Sequence, residues 1–142
     1  MAFLQQLPVS SVLLYSIVAA AVSVYLPFLA VGYGRFQVGY DTAAPRALFD
    51  KLPAWAQRAT WAHENSFEAF ILFSAAALMA YVTGVDSSWA AVAAIAHVIG
   101  RMFYSVFYIA NIPIGRSLMF GIGSTSTGTL FVLSLLTLPG AV

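Results

Sequence analysis

From Met1 to Gly34 the chain carries no charged side chain. Val12 to Val31 alone supplies the ~20 predominantly apolar residues that a helix needs to cross a bilayer. Lipid offers no water to satisfy backbone N–H and C=O groups, so a chain made of such runs must fold as helices that close their own hydrogen bonds. The first helix is predicted over 9–33. Pro53 suits a first helical turn, where its missing N–H is harmless, and predicts a second helix over 54–82. Trp89, a residue favoured at the membrane interface, opens a third over 89–110, and Arg116-Ser117 opens a fourth over 117–138. Charged residues make up 8% of the chain, against about 25% in a soluble domain, and its mean hydropathy is +0.88. The expected fold is an all-α membrane protein, a four-transmembrane-helix bundle forming one domain over 1–142. A cleaved signal peptide would place basic residues ahead of its apolar core; with none there, the first run is read as a retained helix.

Composition also excludes classes of function. The net charge of +1 leaves no basic footprint for a nucleic-acid partner. With no cysteine, there is no disulfide, thiolate metal site or cysteine nucleophile; thiol chemistry would need a thiol from outside. His63 and Glu64 do not make a metal motif, because no second histidine stands at zinc-site spacing. Arg35, Arg46, Lys51 and Arg58 flank the first connection and Arg116 flanks the third. The positive-inside rule makes those connections cytoplasmic. The termini and the turn at Asp86 then face outward, in a multi-pass protein expected in a bacterial inner membrane.

The second apolar run is interrupted where lipid should forbid it. Arg58 to Glu68, RATWAHENSFE, brings charged groups into a stretch that must span, because Ala69 to Val82 is too short alone. A charged side chain at mid-bilayer costs on the order of 2.5–3.5 kcal/mol even on lenient scales, so such residues should face the protein interior. By helical rise, Glu68 lies about 21 Å in from Val82 and Arg101 about 20 Å in from Ser88. Equal depth and opposite charge predict an ion pair. Arg58, Asn65 and Glu68 share one side of the second helix, and Arg101, Tyr104 and Tyr108 one side of the third. Two facing polar stripes outline a pocket between helices, where bundles commonly hold ligands.

Each feature also has a plain structural reading. A Glu–Arg pair can lock helix register, and tyrosines near a membrane end can be interfacial anchors. His97, flanked by apolar residues, reads as a hydrogen-bonded core histidine. The small residues from Gly121 to Thr129 read as a packing surface. Arg116-Ser117 at a helix start favours an anion, a carboxylate or a thiolate, or else Ser117 caps the helix while Arg116 reaches lipid headgroups.

Together the motifs resemble the MAPEG family, membrane-associated proteins in eicosanoid and glutathione metabolism. They are Arg58-Ala59 followed by His63-x-Asn65-x-x-Glu68, then Arg101-x-x-Tyr104-x-x-x-Tyr108, then Arg116-Ser117. The resemblance is to microsomal glutathione transferases, in a bacterial branch, and spans most of the chain. It implies a homotrimer in which glutathione, as co-substrate, binds between neighbouring subunits towards the cytoplasmic side. Arg58, His63, Asn65, Glu68, Arg101, Tyr104 and Tyr108 would hold the tripeptide, and Arg116 and Ser117 would be catalytic by stabilising its thiolate. The implied reaction is attack on a lipophilic electrophile or a lipid hydroperoxide reached from the surrounding membrane lipids. The sequence departs from the family pattern at Trp61 and Glu64, where glutathione-using members carry arginines, and at Phe120, where some carry tyrosine. Those departures keep open a second reading, a non-catalytic protein of the same fold that binds another amphiphile, such as a lipid or quinone, or serves as an accessory subunit.

Overall fold

The computed structural model describes residues 8–139. Four helices long and apolar enough to cross a membrane follow one another: α1 Val9–Gln37, α2 Ala54–Val82, α3 Ser88–Ile109 and α4 Pro113–Leu136. A short 3-10 helix, Pro45–Lys51, lies between α1 and α2. The protein is an integral, multi-pass membrane protein built as a four-helix bundle. α2 and α3 pack on each other and each touches both remaining helices, so α1 and α4 occupy opposite corners.

Two boundaries differ from the sequence reading by about a turn, and the others by no more than two residues. α1 continues past 33 to Gln37 because Gly34 does not stop it. Gly34 instead lets α2 come close: a Cβ there would stand 2.5 Å from that of Ala56. α4 begins at Pro113, not 117, because the chain turns at Asn111. That residue adopts φ 59°, its N–H bonds Tyr108 O, and the N–H of Ile112 bonds Phe107 O. This is a Schellman closure with asparagine in the left-handed position, and Pro113 then starts the next helix. Gly84, at φ 71°, ends α2 in the same way. α3 starts from Ser87, whose side chain accepts from the Trp89 N–H.

The interior is divided along its length. Towards the Asp86 turn it is built from small groups, with Ala76, Ala77, Ala80, Ala90 and Ala94 around Leu13, Phe73 and Leu130. Alanine lets backbones approach closely, which replaces the hydrophobic drive that lipid does not supply. Towards the other end the interior becomes polar. His97 marks the transition. It is 2% exposed and stacks on Phe73 at 3.9 Å and 6°. Its Nδ1 lies 3.1 Å from both the Gly123 carbonyl oxygen and Thr127 Oγ1. α1 carries Pro27, which leaves the Ser23 carbonyl without its helical N–H. In the same turn the Val24 carbonyl also accepts from His63 Nδ1 of α2, at 2.8 Å.

Asn111 is the one non-glycine residue at positive φ among the described residues. Asn111→Gly should leave the thermal midpoint in detergent unchanged or raise it. Asn111→Val should lower stability by about 1–2 kcal/mol, because a β-branched residue resists positive φ; equal midpoints for the two variants would refute the closure.

Candidate functional site

Arg101, 4% exposed, is the centre of the polar end. Its Nη2 donates to Asn65 Oδ1 of α2 at 2.8 Å and lies 3.5 Å from Ser66 Oγ. Its guanidinium carbon stands 4.0 Å from the centre of the Tyr104 ring, close enough for a cation–π contact. The aliphatic stem crosses α4 at Gly123, where a Cβ would sit 3.2 Å from Arg101 Cδ. A larger residue at 123 would therefore push the guanidinium out of register.

The expected Glu68–Arg101 ion pair is absent among the described residues; Asn65 stands between them. Asn65 accepts from Arg101 and its Nδ2 donates to Glu68 Oε2 at 3.2 Å. Equal depth was not enough. Glu68 lies one turn on from Asn65 but about 60° round the helix, and it is exposed at the flank of the bundle. The amide, with a donor and an acceptor, relays between the two charges.

One turn along α3 the pattern repeats. Tyr108 lies edge-on to Tyr104, with ring centres 5.5 Å apart. The Arg116 guanidinium stands 4.8 Å from the Tyr108 ring centre. Tyr104, Tyr108, Arg116, Ser117 and Phe120 line a cavity of about 320 Å³ between α3 and α4. Arg116 is the fourth residue of α4, and its own N–H already bonds Ile112 O. Ser117 therefore is not a helix cap, and its hydroxyl is exposed at the cavity. Trp61 closes the side towards the 3-10 helix, its ring 5.7 Å from Phe49 and 6.5 Å from Tyr108.

The structure thus gathers Asn65, Glu68, Arg101, Tyr104, Tyr108, Arg116 and Ser117. Arg58 sits beside them but is engaged: its Nε donates to Ile109 O at 3.1 Å, closing the carbonyl end of α3. His63 is not with them. It lies across α2 from Asn65, against Tyr25, Phe28 and Phe67. Sequence reasoning missed Ser66, which lies 3.5 Å from the buried guanidinium, and Ser105, whose hydroxyl is 3.5 Å from that of Ser66 and donates to Arg101 O. The signal was present, since Ser66 adjoins Asn65 and Ser105 stands one turn after Arg101. Removing the amide should expose the arrangement: Asn65→Ala strips Arg101 of its best acceptor. It should destabilise the protein by about 2 kcal/mol, read as a lower thermal midpoint, whereas an unchanged midpoint would mean that the guanidinium has another partner.

Neither the curated proteins nor the solved structures compared with the chain give a match. A sequence model of the MAPEG family matches residues 12–136, from the first turn of α1 to the end of α4. The chain belongs to the MAPEG family.

Proposed function

We propose that the protein is a membrane glutathione transferase or peroxidase of the microsomal type, in its bacterial branch. The observation that carries this is the pair of arginines, each laid on a motif tyrosine, beside a cavity at the start of α4. Arg116 and the exposed Ser117 hydroxyl supply a cation and a donor where a thiolate sulfur would rest, which lowers the cost of ionising the thiol. Asn65, Glu68, Arg101, Tyr104 and Tyr108 hold the tripeptide, with Arg58 beside them; His63, turned towards α1, takes no part within the same subunit. In the transferase reaction the sulfur bonds to an electrophilic carbon, and the leaving group departs with the electron pair. In the peroxidase reaction the sulfur takes the outer oxygen of a hydroperoxide and the alkoxide collects a proton. A second glutathione then converts the sulfenic acid to disulfide and water. Holding both reactants together supplies much of the rate gain.

In the same reading the protein is a homotrimer in a bacterial inner membrane. Its termini are outside, and its first and third connections, with the basic residues, are in the cytoplasm. The small face of α4 supports association: a Cβ added at Gly121 or Gly128 would meet nothing within 4 Å in a single chain, leaving that surface free for a neighbouring helix. A second reading, another amphiphile in place of glutathione, is favoured by Trp61, which fills the mouth beside Tyr108 with an apolar ring.

Glutathione binding by calorimetry, in detergent or nanodiscs, separates the two readings. Binding at millimolar concentration or tighter, lost in Arg116→Ala, is expected. No binding at about 10 mM, a free energy near −3 kcal/mol or weaker, would leave the amphiphile reading. For assembly, Gly128→Leu has room within the single chain and should fold. It should also lose the trimer in native mass spectrometry; a trimer that persists would place the interface elsewhere.

A further inference from the structure

The turn between α3 and α4 is rigid within itself. The N–H groups of Asn111 and Ile112 bond the carbonyls of Tyr108 and Phe107. Gly115 packs against the Phe107 ring, where an added Cβ would stand 2.9 Å from ring carbon Cδ2. Tyr108, the turn, Arg116 and Ser117 therefore move as one piece. One carbonyl in that piece is left over. The helical partner of Ile109 O would be the N–H of residue 113, and Pro113 has none. A carbonyl at a helix end needs a donor from elsewhere. Arg58 supplies it from α2, its Nε donating to Ile109 O at 3.1 Å. Among the described residues this is the one hydrogen bond that ties the segment 107–116 to α2.

The two halves of the candidate site lie on either side of that bond. Asn65 and Glu68 belong to α2, whereas Tyr108, Arg116 and Ser117 belong to the turn piece. The other contact across the gap is loose, with the Trp61 and Tyr108 ring centres 6.5 Å apart. A ligand that touches both halves responds to their separation, and Arg58 sets it. Arg58 itself is not in the cavity, whose lining is Tyr104, Tyr108, Arg116, Ser117 and Phe120.

We propose that Arg58 is a positioning residue. Through Ile109 O it holds Arg116 and Ser117 at working distance from Asn65 and Glu68, and it makes no contact with the ligand. Its hydrogen-bond donor matters and its charge does not. The affinity part of the test rests on the glutathione reading; the geometric part does not.

Arg58→Gln and Arg58→Leu separate the donor from the charge. The glutamine amide nitrogen stands as many bonds from the backbone as arginine Nε and donates while neutral; leucine offers neither donor nor charge. The chain holds no cysteine, so Ala54→Cys and Ile114→Cys, both at exposed positions, carry spin labels at the starts of α2 and α4. Labelled chains are diluted into unlabelled ones in nanodiscs, so that the distance within one chain is read. That distance should be the same in the unaltered protein and in Arg58→Gln, and displaced or broadened in Arg58→Leu. Glutathione affinity should stay within about twofold in Arg58→Gln and fall about tenfold in Arg58→Leu, the worth of one charge-assisted hydrogen bond. Glutamine as damaging as leucine in either readout overturns the proposal, because the charge would then be what counts. An affinity or a distance unchanged in Arg58→Leu also overturns it, since other contacts would then hold the turn. An unaltered protein that binds no glutathione removes the glutathione reading alone, and the distances still decide the role of Arg58. Should Arg58→Leu fail to fold, Arg58→Gln decides: unchanged distance and affinity support the proposal, and a loss of about tenfold refutes it.

Discussion

A guanidinium removed from water inside a membrane bundle constrains everything around it. Left unpartnered at such depth, Arg101 would cost more than a small bundle can spare, so three helices are arranged to hold it. α2 offers the Asn65 amide and the Ser66 hydroxyl, α3 its own Tyr104 ring, and α4 a glycine at 123 over which the stem can pass. Moving any of these helices by one residue in register would remove a partner. In lipid, where apolar burial does little to choose among packings, such polar contacts decide the register.

That anchoring also explains the gradient along the bundle. One half is packed through alanines at close helix separation and has few polar groups; the other opens into tyrosines, serines and arginines. His97 joins them, using Phe73 on one face and the Gly123 carbonyl with Thr127 at its edge. The bond to Gly123 fixes α4 against α3 one turn from Arg101. It thereby fixes how Arg116, two turns further back on α4, meets Tyr108. The cavity beside Arg116 is thus a consequence of contacts made deeper in the bundle.

α2 faces two clefts because its polar residues point two ways. Asn65 faces α3 and α4; His63 and Glu64 face α1. Consecutive residues on a helix are about 100° apart, so a short motif of alternating polar groups addresses both neighbours at once. Read as a string, His63-x-Asn65-x-x-Glu68 looks like one constellation. In the fold its first member belongs to a different cleft, held there by the Val24 carbonyl of α1.

Four crossings, the polar intrusion in α2, the two stripes and the family were legible in the sequence, because bilayer thickness sets helix length and helical periodicity sets faces. Depth was legible too, since rise per residue is constant. The azimuth of each group about its helix axis, relative to a neighbour, was not. Only the packed bundle decides that Asn65 lies between Glu68 and Arg101, that Arg58 closes α3, and that Arg35 and His63 share a cleft on the far side. The start of α4 belongs to the same group. Asn111 is one of the few residue types that tolerate positive φ, but it takes that conformation here because the Schellman bonds and Pro113 require it. Distances along a chain follow from local geometry; which groups meet across helices follows from the angle at which those helices settle, and that angle is set by contacts between residues far apart in sequence.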